Sequence, residues 1–201
     1  MKNLLIGISG GSGSGKTFLA NKILKKYLNQ SVIIEQDAYY KDLSNLKLNK
    51  RKLNNYDHPK SIEIKLLEKH IKTLLNGKPI NKPVYDFSKH IRKKYIYLKP
   101  KPIIILEGIL IYHFKQLLNL FSLKIFLDIK SDIRFIRRLK RDQEERNRTI
   151  NNICEQYLNH VRPMHDKFVE PSKNNSDLII KKENDFKNIF DIIHKKLDIL
   201  K

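Results

Sequence analysis

One cysteine, Cys154, stands among 201 residues, which excludes an internal disulfide and a cysteine zinc cluster. No apolar run approaches the roughly 18 uncharged residues that a membrane-spanning helix needs. The opening MKNLLIGISGG has an apolar stretch too short for a secretory signal before it runs into glycines. Internal repeats are absent, and so are Gly/Ser-rich or Pro-rich linkers. Acidic residues are few: Asp and Glu total 21 against 41 Lys and Arg, a formal net charge of +20. The hydrophobic share of 40% leaves room for a core and excludes a wholly disordered chain. These bounds predict one soluble domain over residues 1–201, in the reducing cytoplasm.

The positive excess invites a nucleic-acid or anionic-membrane partner. Lysine, however, recurs with Asn and Ile in every segment, as in NKILKKYLN, NLKLNKRKLNN and KNIFDIIHKKL. A nucleic-acid footprint would cluster on one face or in one tail. The spread therefore reads as background composition, and neither nucleic acid nor membrane is expected as a partner. One stretch stands apart. Between Arg134 and Arg148 the chain is arginine-rich where the rest is lysine-rich, which suggests a specific use.

Short apolar runs at 4–9, 32–36, 103–106, 123–128 and 177–180 alternate with helical patterns at 61–75, 131–145, 149–160 and 185–198. A further helix begins near Gly15. That alternation predicts a five-stranded parallel α/β sheet covered on both faces. The stretch 80–98 differs: PINKPVYDF and RKKYIYL surround a polar turn and read as a hairpin insertion at the edge of the core.

Gly10-Gly11-Ser12-Gly13-Ser14-Gly15-Lys16-Thr17 is a full match to G-x-x-x-x-G-K-[ST], with a strand before it and a helix after it. Five of the seven glycines fall within residues 7–15, so a merely flexible turn explains the segment poorly. The loop must turn its N–H groups inward around a phosphate, and the helix N-terminus adds positive charge there. Lys16 can reach the β- and γ-phosphates, and the Thr17 hydroxyl can ligate Mg²⁺. The G-x-G-x-x-G spacing of a dinucleotide site is absent. An NKxD-like guanine signal after a later strand is absent too.

Asp37 ends the second strand run, where the carboxyl ends of parallel strands face the ligand. It could orient an acceptor hydroxyl and take its proton, or simply cap a turn. Glu107 ends the IIIL run, where P-loop enzymes place a carboxylate partner for Mg²⁺; a strand-terminal surface glutamate is the alternative. Arg134, Arg137, Arg138 and Arg141 fall at i, i+3, i+4 and i+7, on one helical face, with Arg146 and Arg148 beyond. Such a lid would stabilise charge in phosphoryl transfer. The alternative is a solvated helix paired with Asp142, Glu144 and Glu145.

The segments IGISGGSGSGKT, QDAYYKD, NYDHP, PVYDFSKH, IILEGIL, RRLKRDQEERNR and QYLNHVRPMHDKFVEPSK resemble, in this order, those of the uridine kinase (uridine–cytidine kinase) family of P-loop nucleoside kinases. The resemblance covers roughly residues 5–180 and implies a P-loop NTPase fold with a hairpin and a helical lid. It implies transfer of the γ-phosphate of ATP or GTP to the 5′-hydroxyl of uridine or cytidine, with Mg²⁺. By the same resemblance Asp37 is the catalytic base, Tyr40 lines the nucleoside pocket, and Asp57 and Arg138 hold the ribose hydroxyls. Tyr85, Phe87 and His90 form the pyrimidine pocket with Arg148 and Gln156. Arg141 and Arg146 reach the triphosphate bound by Gly10 to Thr17. The family also suggests a homo-tetramer. Two departures stand out: Asn147 replaces a frequent glycine between lid arginines, and Lys181-Lys182-Glu183 replaces Pro-Arg-Gly near the adenine site. The second leaves ATP and GTP both open as donors. A phosphoribulokinase-like enzyme and a basic RNA-associated P-loop ATPase are the competing readings.

Overall fold

Leu4 to Gly10 is buried at every position, as a strand must be when helices cover both faces of its sheet. In the computed structural model, which describes residues 3–182 and 185–198, this strand (β1) is central. The sheet runs β2-β5-β1-β6-β7, where β2 is Ser31–Glu35, β5 Ile103–Glu107, β6 Leu123–Leu127 and β7 Leu178–Ile180. All four pairings are parallel. The five predicted strands are therefore present within a residue or two of their expected bounds.

Side chains alternate across β1. Leu5 faces one layer with Ile34, Ile104 and Leu106, against Leu67, Ile71 and Leu74 of α3 (Ile64–Leu75). Leu4, Ile6 and Ile8 face the other, against Leu19, Ala20 and Ile23 of α1 (Lys16–Lys26) and Ile189 and Ile193 of α8 (Phe186–Asp198). Register brings Ile8, Glu35 and Glu107 to one level at the carboxyl edge. The loops that follow β1, β2 and β5 thus converge at that edge.

β3 (Ile80–Asp86) and β4 (Ile91–Leu98) form a separate antiparallel hairpin, with a register shift between Val84 and Tyr85. Asp86 closes the tip by accepting from the Ser88 and Lys89 amides at 2.9 and 3.0 Å. The hairpin is tied to the core by Lys82–Glu35 at 2.5 Å and Arg92–Glu63 at 2.6 Å.

Shorter helices complete the chain: α2 (Leu48–Lys52), which the apolar pattern did not signal, and α4 (Lys115–Leu118). α5 is Ser131–Glu144 and α6 Ile150–Gln156. The helix expected over 149–160 continues past its predicted end, but not as a regular α-helix. After α6 come a wide π turn at Tyr157–Val161, α7 (Arg162–Met164) and a second π turn at His165–Val169. Pro163 lies between the two wide turns. Its ring has no N–H and crowds the carbonyl four residues back, which favours a wider local spiral.

Candidate active site

The loop after β1 carries Gly13 at φ 80°, and its last glycine, Gly15, at φ 93° opens α1. The Lys16 ammonium is buried and donates to the Gly11 carbonyl at 3.0 Å. Burial lowers its pKa, against the opposing pull of Glu107 and Asp37. The Ser14 hydroxyl is buried with no protein partner, and Ser12 Oγ accepts from Arg138 at 2.8 Å. A loop with an unpartnered buried hydroxyl and a desolvated ammonium is built for an anionic group.

Thr17, on the first turn of α1, donates to Glu107 Oε1 at 3.1 Å. Burial pushes the Glu107 carboxyl up to about 7, with Lys16 opposing and Asp37 adding to the shift. Asp37 lies half-buried in the turn that follows β2. The Thr17 hydroxyl and the Glu107 and Asp37 carboxylates are hard oxygen donors that suit Mg²⁺, which needs only a few protein ligands when phosphates supply others. Among the described residues no group of three or more His, Cys, Asp and Glu could hold a metal by itself.

Tyr40 is buried beside this acid group. Burial, the charges of Asp37 and Asp57, and its hydrogen bond to Asp37 raise its phenol well above the usual range. Asp57 is pushed up by burial and by Asp37, while Arg138, His160 and Lys16 pull the other way. Asp37, Asp57, Lys16 and Arg138 therefore share one electrostatic neighbourhood.

A ring cluster extends from there to the hairpin. Tyr40 meets Tyr56 at 5.0 Å and Tyr85 at 5.1 Å, edge-on, and Tyr85 meets Phe87 at 5.3 Å. His90 stacks on Tyr56 at 4.8 Å and 13°. Its Nδ1 is buried without a partner. Burial and the cations Lys52, Arg148, Arg146 and Arg51 lower its pKa, so the ring is neutral at pH 7. Its φ of 52° marks a constrained backbone at the hairpin tip. Tyr56 escaped the sequence reading, although it stands next to Asp57 in NYDHP.

The arginines do not act as one face. Asp142 is fully buried and gathers four of them: Arg141 at 2.7 Å, Arg148 at 3.4 Å, and Arg138 and Arg146 at 3.6 Å. Arg138 and Arg148 also share Gln156 Oε1, at 2.9 and 2.5 Å. The Arg146 guanidinium lies over the Phe87 ring at 4.8 Å, joining the segment after α5 to the hairpin. Arg137 is exposed near Gly15, and Arg134 turns away beneath the glycine loop. Of the four arginines at i, i+3, i+4 and i+7, Arg138 and Arg141 meet on Asp142 while Arg134 and Arg137 lie toward the glycine loop, because a long guanidinium follows its nearest acceptor. Asn147 adopts φ 50°, the left-handed torsion that a glycine would take readily. Of the Lys181-Lys182-Glu183 segment, the two lysines are exposed and Glu183 lies outside the described residues.

The sequence profile of the phosphoribulokinase/uridine kinase family matches residues 5–187. The chain is 47% identical over 199 residues to the uridine kinase of Clostridium novyi (strain NT), covering 98% of this chain and 96% of that protein. It is 49% identical over 181 residues to the uridine kinase of Anoxybacillus flavithermus (strain DSM 21510 / WK1), covering 89% and 86%. Its fold is similar to that of a phosphoribulokinase from Rhodobacter spheroides, with a TM-score of 0.66 at 17% identity over 88% of this chain and 68% of that one. With a glycine loop, a buried lysine and paired carboxylates at one sheet edge, the chain is a P-loop kinase and belongs to the phosphoribulokinase/uridine kinase family.

Proposed function

We propose that this kinase transfers the γ-phosphate of ATP or GTP to the 5′-hydroxyl of uridine or cytidine, giving UMP or CMP. One observation carries the reading. The acid pair Asp37 and Asp57 is coupled to Lys16 and Arg138 beside the glycine loop and is joined through Tyr40 to a cluster of Tyr56, Tyr85, Phe87 and His90. A sugar phosphate offers no base to meet such rings, which counts against a phosphoribulokinase-like acceptor.

The residues Gly10, Gly11, Ser12, Gly13, Ser14 and Gly15 cradle the triphosphate, and Lys16 neutralises its terminal charge. Thr17 and Glu107 would hold Mg²⁺, which when bound neutralises charge on the phosphate oxygens. Asp37 orients the acceptor hydroxyl and takes its proton as the bond to phosphorus forms. The transition state is loose, so positioning outweighs basicity. Asp57 and Arg138 bond the ribose hydroxyls. Neutral His90 offers one donor and one acceptor nitrogen by tautomer, which lets one pocket read either uracil or cytosine with Arg148 and Gln156. Arg141 and Arg146 swing from Asp142 and Phe87 to the phosphates as the lid closes.

Among the described residues no helix is long and apolar enough to cross a membrane. A kinase that makes UMP and CMP from free nucleosides would serve pyrimidine salvage in the cytoplasm. We also expect a homo-oligomer, a tetramer on the family's precedent; Tyr95, Ile96 and Tyr97 of β4 are exposed at 59, 43 and 61% and offer an apolar contact face. A test of donor choice compares ATP with GTP at saturating uridine and Mg²⁺, scored for UMP. Failure of both donors would overturn the proposal.

A further inference from the structure

Arg134 stands apart from the arginines around Asp142. It is buried, and it touches the glycine loop with both its side chain and its backbone. A Cβ placed on Gly11 would come within 2.0 Å of Arg134 Nη1. One placed on Gly13 would come within 2.2 Å of the Arg134 carbonyl oxygen. A single residue of α5 therefore touches the loop at two points. The Gly11 carbonyl is held separately, by the Lys16 ammonium.

Two polar contacts keep the guanidinium in place. Nε donates to the Ile129 carbonyl at 2.9 Å, and Nη2 lies 3.2 Å from His165 Nε2. Arginine only donates, so this bond requires Nε2 to accept, with the proton of the neutral imidazole on Nδ1, although Glu170 Oε2 lies 3.5 Å from the same nitrogen. His165 Nδ1 is itself buried and without a partner, so the ring gives up one hydrogen bond to make this one. Burial and the charge of Arg134 lower the pKa of His165 to about 4, with Glu170 and Asp166 opposing, which keeps the acceptor form at neutral pH. His165 opens the second π turn, which follows Pro163. Behind the pair is a cleft of about 420 Å³ between α5 and the irregular helix, lined by Phe135, Tyr157 and Arg162. Polar bonds, more than close packing, hold Arg134 on that side.

We propose that Arg134, clamped by the Ile129 carbonyl and by neutral His165, is a positioning residue that sets the shape of the phosphate loop at Gly11–Gly13 for nucleotide binding and phosphoryl transfer. The inference rests on the loop being the nucleotide site. It extends that reading to Arg134 and His165, which act through the loop. Preorganised loop N–H groups stabilise transferred phosphate only if their geometry is fixed before binding. Misplacement of about 1 Å can cost roughly 100-fold in rate.

The test compares the intact protein with His165→Leu, which removes the acceptor, and His165→Gln, which restores one. Three quantities are read: affinity for a fluorescent ADP analogue, steady-state constants with ATP and the nucleoside turned over, and hydrogen exchange of the loop amides. His165→Leu should lower kcat/KM for ATP roughly 10- to 100-fold and speed exchange at residues 11–15. The KM for the nucleoside should stay within about twofold, and His165→Gln should recover most of the loss. A merely structural role would lower the melting temperature without splitting the two substrates. Arg134→Lys, which keeps the charge and loses the planar fork, should behave like His165→Leu. Unchanged nucleotide affinity in a folded His165→Leu would overturn the proposal, and so would failure of both His165→Leu and Arg134→Lys to fold. If the unaltered protein fails to bind the ADP analogue, the nucleotide-site reading itself falls, a separate and recognisable result.

Discussion

Replacing Asp142 by asparagine keeps the side-chain volume and removes the one negative charge at the centre of four arginines. Asp142 is fully buried, and Arg138, its least exposed partner, has a side chain only 7% exposed. Arg141, Arg146 and Arg148 are more open, at 33, 30 and 22%, so water screens much of their attraction. Breaking a buried pair from one side costs about 3–5 kcal/mol, and screened pairs contribute at most about 1 kcal/mol each. With one well-buried partner the lower end applies, about 3 kcal/mol. For a chain of this size that is a fall in Tm of about 6–12 °C, at about 2–4 °C per kcal/mol. The pH dependence carries a second signature. Burial alone would raise the Asp142 carboxyl, but Arg138, Arg141 and Arg146 outweigh it and hold its pKa below the ordinary 3.8. A depressed carboxylate stabilises the fold above its unfolded value and loses that contribution as pH falls through its folded one. The Tm gap between the intact protein and Asp142→Asn should therefore be flat from pH 7 to 5 and narrow below about pH 3.8. Differential scanning calorimetry across that range reads both. A Tm within about 2 °C of the intact protein at pH 7 would refute the role of Asp142 as the organiser of these four arginines.

Lys16→Ala should abolish turnover while leaving the melting curve near that of the intact protein, because a desolvated ammonium adds little to stability; circular dichroism and a coupled ADP assay check both. Asp37→Asn should lower kcat roughly 10²–10⁴-fold with little change in nucleoside KM; steady-state kinetics showing intact kcat and a raised KM would make Asp37 a binding group only. Asp57→Ala should shrink the preference for ribo- over deoxynucleosides, mainly by damaging the ribonucleoside reaction, since a site built for a hydroxyl discriminates through the group left unpaired.

The sheet was legible because buried parallel strands read as short unbroken apolar runs, and the phosphate site because its spacing carries a mechanism. The hairpin showed itself through alternation and through aromatic residues on either side of a turn. What stayed hidden depends on tertiary contacts. Spacing on α5 places Arg134, Arg137, Arg138 and Arg141 along one stripe, but it does not say which acceptor each guanidinium reaches. Asp142, Glu144 and Glu145 are equivalent in sequence, and only the fold buries the first of them. Gln36 lies fully buried between Glu35 and Asp37 and accepts from the Leu110 amide at 2.9 Å, a contact across 74 residues that local pattern does not encode. The π turns around Pro163 likewise keep a helical periodicity that local pattern reads as regular α-helix.

The proposed function requires that the ring cluster beside Asp37 open to a pyrimidine ribonucleoside. Its most direct test is a panel of uridine, cytidine, deoxyuridine, deoxycytidine, thymidine, adenosine and ribulose 5-phosphate, each with ATP and Mg²⁺, scored for phosphorylated product. The expected result is UMP and CMP from mutually competing substrates, deoxynucleosides poorer by roughly 100-fold or more in kcat/KM, and no product from adenosine or the sugar phosphate. Equal efficiency on uridine and deoxyuridine, or turnover of ribulose 5-phosphate alone, would contradict it.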